Sequence, residues 1–107
     1  MNSRESEIET YFTYKVGTAD GMMTFKFTSP SQAGVPDRIL ITHGQVYFIE
    51  LKAPGKKPRK LQRETVRRMR KNGARVFCLS SKIQITKFLY EVATKLEGPK
   101  ETDYDEI

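Results

Sequence analysis

One cysteine, one histidine and no tryptophan in 107 residues put several kinds of protein out of reach. A single cysteine cannot build an internal disulfide framework, and with a single histidine it cannot complete a Cys/His zinc site. No run approaches the ~20 apolar residues of a membrane span, and no apolar stretch follows the N-terminus as a signal peptide requires. The length has room for one modest core and not for two. The chain therefore reads as soluble and intracellular: one domain over residues 1–96, then an acidic, aperiodic stretch, 97–107, expected to be flexible. Cys78, inside Val76-Phe77-Cys78-Leu79, reads as a buried thiol that packs as a small hydrophobe.

What the chain has in excess is positive charge, unevenly spread. The formal net charge is +6, yet residues 97–107 carry five acids against one lysine, which leaves the rest near +10. Residues 52–75 hold eleven Lys/Arg and one acid, Glu64. A helix face that merely keeps a protein in solution mixes its signs. So lopsided a segment points to a polyanionic partner, nucleic acid or an anionic membrane surface. For the membrane surface a strong apolar face would be needed, and Leu61, Thr65 and Met69 are too modest.

Periodicity and turn chemistry predict a helix at about 4–16, strands at about 22–28, 37–43 and 45–52, a helix at about 58–72, a strand at about 75–80 and a helix at about 82–96. Val46-Tyr47-Phe48-Ile49 is almost wholly apolar, as a strand covered on both faces should be. His43-Gly44-Gln45 is hairpin-turn chemistry, so His43 reads as a turn residue rather than a ligand. Pro58 suits the first turn of the basic helix and Asn72-Gly73 its end. Ser81 and Gln84 have capping-box spacing, and Ile85, Leu89, Val92 and Leu96 form the core stripe of the last helix. The order αβββαβα gives an α/β fold: a central mixed sheet flanked by helices.

The hairpin carries an anomaly. Its most hydrophobic strands open on Asp37 and end on Glu50-Leu51-Lys52. Alternation puts Glu50 and Lys52 on one face, and a hairpin folded at Gly44 brings positions 37 and 50 together. Two adjacent carboxylates raise each other's proton affinity unless a cation relieves them. Mg²⁺, which takes one or two protein carboxylates plus water and phosphate oxygens, is the natural occupant. Lys52 is placed to hold or help deprotonate a water, or to neutralise a phosphate. A surface Glu–Lys pair beside a turn aspartate would have the same composition. Against it stand Gly34 and Pro36, which stiffen the approach to Asp37, and Ala53-Pro54-Gly55, which stops the second strand just past Lys52.

Two helices aim at the same point. Ile8, Phe12 and Val16 define the inward stripe of the first; Glu5 falls within it, Glu9 lies at its edge and Glu7 points away. In the basic helix Leu61, Thr65 and Met69 face inward with Gln62 among them. Lys56, Lys57, Arg59, Lys60, Arg63, Arg67, Arg70 and Lys71 are left for solvent or a phosphate backbone.

Gly34-Val35-Pro36-Asp37, Glu50-Leu51-Lys52 after twelve residues, a basic stretch, Gln62 and the Asn72-Gly73 turn together resemble the VRR-NUC (virus-type replication-repair nuclease) domain of the PD-(D/E)xK nuclease superfamily. The resemblance runs from about residue 5 to residue 80. It implies a restriction-endonuclease-like core and hydrolysis of DNA phosphodiesters. Asp37, Glu50 and the Leu51 carbonyl would hold Mg²⁺ or Mn²⁺, and Lys52 would orient or activate the attacking water. Gln62 would stand behind the ligands. Glu5 matches the family's helix-one glutamate, with Glu9 as the alternative. The resemblance also implies a homodimer that cuts branched DNA, similar to Holliday junction resolvases. Rivals are a monomeric nickase or flap nuclease, and a non-catalytic nucleic-acid-binding module; the intact Asp37/Glu50/Lys52 set speaks against the last.

Overall fold

The computed structural model describes residues 3–95 and 97–101. Its elements are α1 (Ser3–Gly17), β1 (Met22–Lys26), β2 (Arg38–Thr42), β3 (Gln45–Leu51), α2 (Lys60–Lys71), β4 (Arg75–Leu79) and α3 (Lys82–Thr94), the αβββαβα order expected. The predicted core position Leu96 and residues 102–107 of the acidic stretch lie outside the described residues.

The four strands form one mixed sheet in the order β1-β2-β3-β4. β1–β2 and β2–β3 are antiparallel, and β3–β4 is parallel, with α2 as the crossover that a parallel pair requires. The β2–β3 turn needs positive φ at both central residues, and His43 (φ 51°) and Gly44 (φ 75°) supply it. The His43 ring is hydrogen-bonded to the Thr42 hydroxyl (2.8 Å), which makes it part of the turn.

Strand alternation divides the interior in two. Tyr47, Ile49 and Leu51 of β3 point to the larger core, where α1 contributes Ile8, Phe12 and Val16, and α3 contributes Ile85, Phe88, Leu89 and Val92. Tyr47, Phe77 and Phe88 meet there with ring centroids 4.8 to 5.9 Å apart. The intervening residues of β3 point to the opposite face, under α2, where Val66, Val76 and Cys78 pack with Phe48 and Met69. Glu50 belongs to this second face. A charged residue in a wholly apolar strand is thus delivered to the thinner layer, at the end of the sheet.

Four local expectations differ. β1 ends at Lys26, two residues early, although Phe27 N–H still donates to Asp37 O (2.7 Å). α2 begins at Lys60 with Arg59 as its N-cap, so Pro58 precedes the helix instead of opening it. Leu61, expected to face inward, is 51% exposed, and Val66 takes its place at 1%. α2 is rolled by about 40° from the predicted orientation, because Gln62, Thr65, Val66 and Met69 make its inward contacts. In α3, Ser81 Oγ caps Gln84 N–H (3.1 Å), but the Gln84 side chain reaches Ser80 N–H (2.8 Å), one residue before the cap.

Candidate active site

Asp37 immediately precedes β2, and Glu50 is the penultimate residue of β3. Arg38 faces Ile49 in the ladder, so the next step of the same register faces Asp37 with Glu50. Asp37 is exposed, whereas Glu50 is 6% exposed. A carboxylate that deep needs partners. Gln62 Nε2 donates to Glu50 Oε2 at 3.2 Å, and Lys52 Nζ stands 3.4 Å from the same oxygen. Gln62 Oε1 accepts Arg59 N–H (2.9 Å) at the start of α2, which fixes which end of the amide meets the carboxylate. One side chain thereby caps the helix and docks its N-terminus onto Glu50.

The approach to Asp37 is built with equal care. Gly34 has φ +84°, and a Cβ there would lie 2.7 Å from Thr65 Oγ1 and 2.8 Å from Leu61 O. Only glycine lets this loop lie against α2. Thr65 Oγ1 donates to Ala33 O (2.9 Å), latching loop to helix, and Pro36 is fully buried one residue before Asp37.

The electrostatics of the two carboxylates favour their protonated forms. Burial, and then the Asp37 charge, push the Glu50 carboxyl up to about 7, with Lys52 and Gln62 offsetting part of the push. Asp37 is also raised, by partial burial and then by Glu9, with a smaller contribution from Glu5; Arg38 opposes this. Asp37 keeps much of its surface in water, which screens its shift, so Glu50 bears the larger deficit. Of the two α1 glutamates, Glu9 acts on Asp37 more strongly than Glu5, and it also lies 3.7 Å from Lys26 Nζ.

Among the described residues no cluster of three or more His, Cys, Asp or Glu side chains has metal-ligand spacing. The hairpin end offers two carboxylates, with the Leu51 carbonyl next along the chain; the Leu51 side chain is buried in the larger core. Hard oxygen donors in this number suit Mg²⁺ or Mn²⁺ retaining several waters, and a cation would relieve the raised proton affinities. The residues present fit such an ion.

The basic residues separate into two groups. Lys56, Lys57, Arg59, Lys60, Arg67 and Lys71 are exposed. Arg63 and Arg70 are half-buried and serve the protein itself: Arg63 Nη1 donates to Pro58 O (2.6 Å) and Arg70 Nη2 to Val76 O (2.5 Å), with Arg70 Nε 3.0 Å from Glu101. Sequence patterning did not single out Arg38. It is 5% exposed, lies over the Phe12 ring (5.9 Å) and donates to Thr24 Oγ1 (3.4 Å), a buried cation beside the carboxylates. Its signal was available, since strand alternation puts position 38 on the core face.

No family model matches the chain. A protein of Acyrthosiphon pisum secondary endosymbiont phage 1, named "Putative nuclease p44", is 38% identical over 79 residues, spanning 73% of this chain and 84% of the relative. A solved structure described as a VRR_NUC domain superposes with a TM-score of 0.75 at 26% identity, covering 83% of this chain and 97% of the other.

Proposed function

The chain belongs to the VRR-NUC family of nucleases, and on that footing we propose that it is a Mg²⁺- or Mn²⁺-dependent endonuclease that cuts branched DNA as a homodimer. The observation that carries the reading is the state of Glu50. It is a buried carboxylate raised to about 7, facing a second carboxylate in register and held by an amide and an ammonium group. A binding module gains nothing from negative charge where phosphates must approach.

Asp37, Glu50 and the Leu51 carbonyl would hold the ion, and Glu9 or Glu5 would stand behind them. A bound ion supplies charge stabilisation for the phosphate and a lower proton affinity for the attacking water. Lys52, 3.4 Å from the Glu50 carboxylate, is placed to orient that water or to neutralise the scissile phosphate. Gln62 fixes the position of the Glu50 carboxylate through its own bond to the helix cap. The exposed lysines and arginines of residues 56–71 are suited to the DNA backbone, which they would position without reading sequence. No helix among the described residues is long and apolar enough to cross a membrane.

With no recognition helix presenting base-reading side chains among the described residues, selectivity is assigned to DNA shape. Two copies related by a two-fold axis would place two sites on opposed strands of a four-way junction. The test is cleavage of labelled four-way junction, flap, nicked and linear duplex DNA with Mg²⁺ or Mn²⁺, with solution mass measured on the same preparation. Paired, near-symmetric cuts by a dimer, at enzyme concentrations that leave linear duplex intact, are expected. A monomer that nicks linear duplex as fast as junctions would overturn the resolvase-like reading and leave the nuclease.

A further inference from the structure

A groove of about 510 Å³ is lined by none of Asp37, Glu50, Lys52 and Gln62. It lies at the open edge of β4, between the loop 55–57 and α3. Four lysines rim it: Lys56, Lys57, Lys87 and Lys100. The one acid among the described residues of its wall, Glu91, is bound to Lys95 Nζ at 2.6 Å, which holds its carboxyl below the usual range and offsets its charge. The groove is thus cationic.

Its floor is the β4 edge, whose outward backbone groups can be followed one by one. Leu79 O accepts Lys52 N–H (3.0 Å), so the groups of Leu79 turn toward β3 and those of its alternate neighbours turn outward. Outward-facing Val76 is satisfied on both counts: Glu101 accepts its N–H (2.8 Å) and Arg70 donates to its carbonyl. Ser80 N–H is satisfied by Gln84 Oε1 (2.8 Å). Between them, the N–H and C=O of Cys78 point into the groove, with no hydrogen-bond partner among the described residues. Phe77 and Phe88 add apolar surface beneath, and Gln84, its oxygen engaged by Ser80, has its Nε2 donor left for an occupant.

The groove also has a fixed relation to the reacting centre. Cys78 faces Glu50 in the β3–β4 ladder, so the two are one strand spacing apart, about 4.8 Å. An occupant bonded to the outward Cys78 groups would lie a second strand spacing out, about 10 Å from the β3 backbone at Glu50 and on the α3 side of the sheet, about one or two nucleotides from a phosphate held at Glu50 and Lys52. It must be polyanionic for the lysines, have an apolar body for the phenylalanines, and present an edge of donors and acceptors to Cys78 and Gln84. The volume falls in the range of small-molecule sites, roughly 300–1,000 Å³, and is too narrow for a duplex.

We propose that this groove is a subsite for one unpaired nucleotide about one or two positions from the scissile phosphate, its phosphate held by the lysine rim and its base edge read by the Cys78 backbone and Gln84. The assignment rests on the nuclease reading and deepens it. A branch supplies unpaired nucleotides and an intact linear duplex does not, which gives a single protomer a reason to prefer branched DNA independent of any dimer.

The test uses flap DNA with 2-aminopurine as the unpaired base at the branch, bound in EDTA so that nothing is cut, and linear duplex of the same sequence. Fluorescence is expected to change on binding as the base leaves its stack. Lys87→Glu should weaken flap binding about tenfold, lower the salt slope by about one, and weaken linear duplex much less. Gln84→Ala should reduce the fluorescence change with the salt slope intact. Both positions are exposed on α3, and an unaltered melting curve would show that the fold is kept. Equal loss for flap and linear DNA, or a fluorescence change indifferent to both variants, would overturn the subsite. The latter result is also what a groove that takes an extended peptide would give. Failure to bind any DNA would overturn the nuclease reading and the subsite with it.

Discussion

Glu50 concentrates the physics of this protein in one side chain. It is buried, it faces another carboxylate, and its carboxyl is raised from 4.5 to about 7. The folded protein therefore holds a proton more tightly than the unfolded chain, and folding is favoured at low pH. That stability is fully present below pH 4.5 and is lost as pH rises to about 7, on the order of 3 kcal/mol at most. The melting temperature of metal-free protein should fall between pH 5 and pH 8 by more in wild type than in Glu50→Gln. Mg²⁺ should restore more of it at pH 8 than at pH 5. Identical pH profiles for the two proteins would remove Glu50 as the source. Lys52→Ala should lower the cleavage rate by about 10³-fold with DNA binding little changed, read by single-turnover kinetics and by binding in EDTA. Asp37, Glu50 and Lys52 were legible because strand alternation and turn position place them without further knowledge. Arg38 was missed although alternation puts it on the core face, because its charge argues for solvent until Phe12 and Thr24 are seen around it.

At the scale of elements, the site is held by α2 meeting the loop before β2. The Gly34 backbone has no room for a Cβ against Leu61 O and Thr65, and its φ of +84° disfavours any other residue. Gly34→Ala should cost about 1–3 kcal/mol in denaturant unfolding and should lower cleavage as well, since Asp37 follows three residues later. Loss of stability with full activity would separate the latch from the site. The element order, the hairpin turn and the α1 stripe were readable from periodicity alone. The roll of α2 was not. Hydrophobicity favours Leu61 inward, yet two polar contacts, Gln62 to Glu50 and Thr65 to Ala33 O, set the helix and leave Leu61 in solvent. Polar anchoring of this kind leaves no periodic trace.

Over the whole molecule, charge is the organising quantity, and the structure separates arginines and lysines that the sequence could only pool. Lys60→Glu and Lys71→Glu should weaken binding to all DNA alike and reduce the salt slope by roughly one each, with unfolding unchanged. Arg70→Glu should in addition destabilise the fold, because Arg70 joins Val76 O on the β4 edge to Glu101. A thermal melt beside a salt titration distinguishes the two classes, and Arg70→Glu melting like wild type would contradict the assignment. The segment 97–101 is fixed by the same contacts: Arg75 donates to Glu97 O and Pro99 O, and its guanidinium stacks on Tyr47.

The most direct measurement is cleavage of a labelled four-way junction by wild type and by Glu50→Ala, each in Mg²⁺ and in EDTA, with binding followed in parallel. Glu50 as a ligand of a catalytic ion predicts cuts only from wild type with Mg²⁺, while both proteins bind the junction in EDTA with similar affinity. Cleavage that persists in EDTA, or that Glu50→Ala carries out at the wild-type rate, would contradict a metal-dependent nuclease centred on the Asp37–Glu50 pair.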